Sequence, residues 1–435
     1  MSSMSDPREP LEQIRCAFRA DDWRRVGELL ERHLEIKAMI DKPVGPFDSP
    51  AIVHARSPEM LDVLLAAGAD LNAKSRWWAG GFGLLHGCSP ELAAHAIERG
   101  AIVDAHAAAR LGMLETLREL VARDPGVVHA RGGDGQTPLH FAATVEIAAF
   151  LLDHGAMIDA LDSDHESTPA QYMTGDRQDV ARFLVARGCK TDILMAIALG
   201  DADRVRGELD ADPESIRACV SDEYFPMIDG RAGGTIYQWT LGFYATAHRV
   251  ARKFGRDDVL RVLIERSPLA VLLIDACLSG GGDAARMLRA DHPEMMHGLT
   301  EMDRRHLPHA ARNNETTAVR LMLESGFPVN ARSQHGATPL HWAGFHGNVE
   351  MIEDLLRFAP PLEIKDADFD ATPLGWAVYG SEHGWHCRTG DYAAAVKALL
   401  AAGAEQPASI EGSPAVQEVL RRGEPRRGDR PSAMP

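Results

Sequence analysis

His383, His386 and Cys387 lie close together in the chain and are of the types that bind zinc-like ions, and His341 or His346 could complete a tetrahedral set. No second ligand pair with zinc-like spacing accompanies them. The competing reading is a polar loop whose Trp385 packs on the fold and whose histidines bond to turn carbonyls. His292, Glu294 and His297 lack the adjacent His-Glu and the helical spacing of a zinc protease, and read as part of a connecting loop. Ser279-Gly-Gly-Gly-Asp has the glycines of a phosphate-cradling loop but no Lys-Ser/Thr after it. Neither a G-x-S-x-G elbow nor a nucleophile with a paired base is found. The six cysteines, Cys16, Cys88, Cys189, Cys219, Cys277 and Cys387, are scattered without a C-x-x-C spacing, which supports neither a structural disulfide nor a thiolate zinc centre. The sequence therefore predicts no catalytic residue and no cofactor, and His383, His386 and Cys387 stand as the alternative metal or small-molecule site.

What would position these side chains is a repeat. Thr137-Pro-Leu-His-Phe-Ala-Ala, Thr338-Pro-Leu-His-Trp-Ala-Gly and Thr372-Pro-Leu-Gly-Trp-Ala-Val nearly duplicate one another, and the last two threonines lie 34 residues apart. Thr168-Pro-Ala-Gln is a degenerate copy 31 residues after Thr137. Each opening leads to a second apolar stretch and then a glycine, as in Val63-Leu-Leu-Ala-Ala-Gly-Ala, Phe150-Leu-Leu-Asp-His-Gly-Ala and Ala398-Leu-Leu-Ala-Ala-Gly-Ala. Threonine before proline suits a helix N-cap followed by the first helical position, where a missing N–H costs nothing. Leu and Ala then face neighbouring helices, and the glycine after Leu-Leu takes the left-handed position that ends the second helix. A helix pair of this size cannot bury its own apolar stripe and must stack on another.

These motifs resemble those of the ankyrin-repeat family, which implies an all-α solenoid of stacked helix-turn-helix units with finger loops. In that register weaker copies become readable. The offset of nine residues from Thr338 to Gly347 recurs from Thr246 to Gly255 and from Thr191 to Gly200. Gly112 closes a first helix around residues 105–111, and Asn314 takes the place of the turn glycine after Pro308-His-Ala-Ala-Arg-Asn. About twelve units are counted, beginning near residues 11, 48, 81, 103, 137, 168, 191, 246, 273, 305, 338 and 372. The resemblance covers roughly residues 11–405.

The departures from the repeat carry the functional reading. Units near 81 and 168 have shortened fingers, and the unit at Thr137 passes from Ala143 directly to Thr144-Val-Glu. Residues 221–245 form a long aromatic finger, in which a short β-hairpin around Thr235-Ile-Tyr-Gln-Trp is expected. Nine extra residues within 380–389 are expected to protrude between two helices of the last full unit. The resemblance implies that fingertips and first-helix ends line a concave groove that chooses the partner. The positions so implied are Gln334, His335, Phe345, His346, Phe369 and Tyr379, joined by the inserted Trp385 and by Tyr237 and Trp239 of the finger. Aromatic side chains at exposed positions are the usual anchors of protein interfaces. His140 and His341 belong to the repeat motif and are expected to hydrogen-bond within or between units.

Composition agrees with a folded binding module. A 45% hydrophobic and 25% charged chain has ample apolar surface to bury. A formal net charge of −17 repels phosphate backbones and anionic lipid, so the expected partner is a protein or peptide and neither nucleic acid nor membrane. The one dense basic run, Arg421, Arg422, Arg426, Arg427 and Arg430, lies in a Gly/Pro-containing tail and reads as a solvated end. Residues 1–15 hold no apolar signal-type core and no stretch approaches 18 uninterrupted apolar residues, so a cytoplasmic protein is expected. The expected layout is a flexible N-terminus at 1–10, a charged capping unit at 11–47, repeats at 48–220, the finger at 221–245, repeats with the insertion at 246–406, and a C-terminal helix with a disordered tail at 407–435.

Overall fold

Threonine and aspartate caps set the helix starts. Thr246, Thr168 and Thr372 each accept a hydrogen bond from the backbone N–H three residues on, and Asp192 and Asp104 do the same for their helices. The computed structural model describes residues 8–423 apart from Val44. Residues 1–7 of the expected flexible N-terminus and Arg426, Arg427 and Arg430 of the basic tail lie outside the described residues. The first helix, Arg8–Arg19, begins inside the segment expected to be flexible, which places its start earlier than the sequence suggested.

Among the described residues there are helices and isolated β-bridges but no strand. The described residues divide into two compact units, one of the residues up to 201 with 220–242, the other of residues 202–219 with those from 243 on. Among the described residues the first unit holds six successive pairs, from Arg8–Arg19 with Trp23–Arg32 to Pro169–Tyr172 with Gln178–Ala186, three of which open with a 3-10 turn (Ala51–His54, Leu84–His86 and Pro138–Phe141), and then the helix Ile193–Leu199. The second opens with Ala202–Ala211 and holds five pairs, from Ala247–Lys253 with Asp257–Arg266 to Pro373–His383 with Tyr392–Ala401, followed by Pro414–Gly423. Leu, Ala and Val from successive pairs pack into shared cores, one over residues 17–107 of the first unit and one over residues 270–420 of the second. In the second unit Leu340, Ala343, Leu374, Ala377, Ala395 and Leu399 are all fully or almost fully buried. In the first pair Val26, Leu29 and Leu30 are buried while Arg24, Glu28, Glu31 and Arg32 face solvent.

Three details differ from the sequence reading. The pairs expected to begin near 273 and 305 start earlier, at Leu269 and Glu301. Thr300 caps the second of them, its hydroxyl accepting from Asp303 N–H and its own N–H donating to the Asp303 carboxylate, and Pro308 falls inside the helix. At Thr137 the shortened turn leaves only a 3-10 turn, Pro138–Phe141, because Thr144 caps the next helix immediately. The 221–245 finger contains no hairpin. It carries a short helix, Tyr237–Thr240, and its residues up to Gly242 are packed into the first unit. Glu166 accepts the N–H groups of Ile228 and Asp229, and Ser167 Oγ accepts that of Ile236, so the finger's backbone donors are satisfied by the neighbouring loop and not by a strand partner.

Candidate functional site

In the second unit the helices Pro339–His346 and Pro373–His383 lie side by side and end in aromatic residues. Trp342, Phe345, Trp376, Tyr379 and Trp385, with His335 and Phe369 from the fingertips, wall a cavity of about 360 Å³. Its floor is tied down by one buried carboxylate. Asp366 accepts the N–H groups of Asp368, Phe369 and Ala371 and, at 2.9 Å, the indole N–H of Trp376. Trp342 and Trp376 meet edge to face at 4.9 Å, and Phe345 meets Trp385 edge to face at 5.3 Å. Trp385 also stacks over Trp342 at 6.0 Å, and the Arg312 guanidinium sits 4.9 Å from the Trp385 ring.

The nine-residue insertion builds one wall of this cavity by folding back, a correction to the expectation that it protrudes. It lengthens the helix Pro373–His383 and returns through Gly384, whose N–H donates to Gly380 O at 2.8 Å. Tyr392 then anchors the return by donating to Phe345 O at 2.9 Å. Gly380 permits the approach, since a Cβ there would lie 2.6 Å from Phe345 O. The physical reason is that Trp385 gains ring contacts with Trp342, Phe345 and His346 that a solvated loop would forgo.

The residues singled out from sequence fall into three groups. Phe369, Tyr379 and Trp385 are exposed by 64%, 60% and 58% and surround the cavity. Gln334, His335 and Phe345 are half-buried: Gln334 accepts from Tyr244 and Arg312, His335 bonds Asp368 at 2.7 Å, and Phe345 packs against the core. His346 and Tyr237 are buried, and their expected place on a partner-facing surface is corrected. His346 Nε2 bonds Arg312 O at 2.8 Å, with burial holding its pKa down to about 4. Tyr237 is fully buried, donates to Asp192 and meets Phe225 edge to face, because the finger that carries it is packed down. Trp239 remains exposed beside His165 in the first unit.

The alternative metal residues are not gathered into one site. His383 packs on Tyr379 with ring centres 4.7 Å apart, His386 lies 5.1 Å from the His346 ring, and Cys387 is exposed. Among the described residues, two other sets of ligand-type side chains do converge to within 4.8 Å: Cys219, His306 and His309 in the second unit, and Asp134, Asp164 and His165 in the first. The sequence reading missed both because their members lie on different repeats. Comparing fingertips at equal offsets from Thr137 and Thr168 would have exposed the second set.

The motif histidines do what the repeat requires. His140 Nδ1 accepts Thr137 N–H at 3.0 Å and its Nε2 bonds Ser167 O in the next pair. His341 repeats this with Thr338 and Ala371. Three stretches, residues 105–194, 248–368 and 307–409, match the family model for ankyrin repeats and together span more than half of the chain. The chain belongs to the ankyrin-repeat family. Ankyrin repeats as a class are protein-interaction modules and typically carry no enzymatic activity. No helix among the described residues is long and apolar enough to cross a membrane.

Proposed function

We propose that the chain acts as an adaptor, scaffold or regulator that captures a protein or peptide segment in the aromatic cavity of its second unit. The observation that carries this reading is the clustering of Phe369, Tyr379 and Trp385, all well exposed, around one apolar cavity in a chain that is only 6% aromatic. Exposed aromatics cost hydration, and a stack of helix pairs does not need them there. An interface does, because rigid rings fixed by Asp366 and Arg312 lose little entropy on binding. The occupant is a segment offering one bulky apolar side chain, flanked by basic residues that answer the net charge of −17. Changing Phe369, Tyr379 and Trp385 together to Ala tests this. Each truncation of an anchor that a partner covers costs about 2 kcal/mol or more, roughly thirtyfold in affinity. Affinity capture from the native cell followed by mass spectrometry returns a specific partner with the natural chain and loses it with the triple variant, whose melting temperature stays near the natural one. A triple variant that unfolds, or that captures the same partner as well, rejects the cavity as the binding face.

A further inference from the structure

The fingertips of two successive repeats in the first unit carry a group of side chains that the repeat does not explain. Asp134 stands three residues before Thr137. Asp164 and His165 stand four and three residues before Thr168. The equivalent positions in the second unit hold His335 and Asp368, which close a direct contact at 2.7 Å. Here the histidine is replaced by aspartate, so one carboxylate faces another.

The geometry around them is built. His165 Nδ1 donates to Gly234 O at 2.8 Å, so in the neutral ring the lone pair is on Nε2. That nitrogen lies 3.8 Å from Asp134 Oδ2 and 3.6 Å from Asp164 Oδ2, too far for hydrogen bonds. Asp164 is only 5% exposed, and its Oδ1 is buried without a hydrogen-bond partner. Asp162 is not part of the puzzle, since its oxygens accept Ser167 N–H, His165 N–H and the Tyr172 hydroxyl. Arg131, the cation on the same finger, donates to the carbonyls of Gly135 and Leu161. The finger roofs the group: Gly233 N–H donates to Asp164 O at 2.8 Å, and the Trp239 ring lies 4.8 Å from His165. A lone pair and two carboxylates turned toward one buried point repel one another unless a positive charge sits between them.

We propose that Asp134, Asp164 and His165 bind a divalent first-row transition ion, of the manganese, iron or zinc type, that fastens the 221–245 finger onto the two fingertips. Bonds of about 2.0–2.2 Å at a tetrahedral angle place ligand atoms roughly 3.4 Å apart, so the 3.8 and 3.6 Å spacings from His165 to the two carboxylates need contract only slightly. One imidazole with two carboxylates suits such ions better than magnesium or calcium, which favour all-oxygen shells. The metal clamps the finger because Gly234 O, the acceptor for the ligand histidine, is part of it.

The test uses the full-length chain, stripped with a chelator and titrated separately with Zn²⁺, Mn²⁺ and Mg²⁺. Bound metal is counted by elemental analysis and the melting temperature is recorded. One Zn²⁺ or Mn²⁺ per chain, a raised melting temperature and at least a tenfold loss of affinity in both Asp164→Asn and Asp134→Asn support the site. Asp368→Asn, at the matched fingertip of the second unit, leaves binding unchanged. Three results overturn the proposal. One is no stoichiometric ion. Another is binding that survives both Asn variants, which assigns the ion to Cys219, His306 and His309 or to the 380–389 loop. The third is metal-free variants that melt higher while the natural chain takes up nothing, which identifies a proton shared between the carboxylates.

Discussion

At the scale of single residues, the motif histidines couple the fold to pH. Burial is the main cause that holds His140 down to about 3 and His341 down to about 4, with Thr137 and Thr338 N–H groups donating to their Nδ1 atoms. In the unfolded chain both titrate near 6.5. The stability they contribute is complete above about pH 6.5 and is lost as pH falls through the folded values, because the unfolded state takes up protons first and a protonated Nδ1 no longer accepts. The chain supplies its own control. Gln171 occupies the same position after Thr168, where its side-chain oxygen accepts Thr168 N–H at 2.8 Å. His341→Gln is therefore expected to fold at pH 7 and to lose less stability between pH 6.5 and 4 than the natural chain in urea melts. An unchanged pH slope would show that His341 is not the titrating group.

At the scale of elements, the inter-helix turn separates backbone strain from crowding. Gly347 and Gly255 both close first helices at φ +62°, but a Cβ at 347 would meet the Tyr392 ring at 3.0 Å whereas one at 255 meets nothing within 4 Å. Gly255→Ala is expected to cost about 1 kcal/mol from the left-handed backbone alone, and Gly347→Ala clearly more, by equilibrium denaturation. Equal costs would remove the packing argument. Leu340 and Leu374 are buried in the stacked core, and truncation of either to Ala is expected to cost about 2–5 kcal/mol. Most caps and turns were legible in the sequence because threonine, proline and turn residues act locally, and Asn314, at φ +60°, takes the turn position as expected, whereas the Thr300 cap was not read. The two insertions were legible as insertions but not in conformation. Their folding depends on partners distant in sequence, Glu166 for the finger and Phe345 for the last loop, and no spacing rule names those. Tyr237 and His346 were misplaced for the same reason, while Phe369 and Tyr379 are exposed at their register positions and Trp385 is exposed on the insertion.

At the scale of the whole molecule, stability in stacked repeats is set by nearest neighbours, so damage should stay local before it spreads. Leu340→Ala is expected to lower hydrogen-exchange protection first in the helix pairs adjoining Pro339–His346 in the second unit, under conditions that reveal sub-global opening. Uniform loss across the chain would contradict a nearest-neighbour stack. The binding reading rests on the same organisation, because rigid stacked pairs hold the aromatic side chains that line the cavity in place without a partner. Its most direct test is a selection of displayed peptides on the full-length chain, with each enriched peptide then titrated against the natural protein and the Phe369, Tyr379, Trp385 triple alanine variant. The account predicts peptides sharing one bulky apolar anchor beside basic residues, binding that falls at least thirtyfold in the triple variant, and thermal melts of the two proteins that nearly coincide. Peptides that bind both proteins equally, or anchors that are acidic or wholly polar, would contradict it.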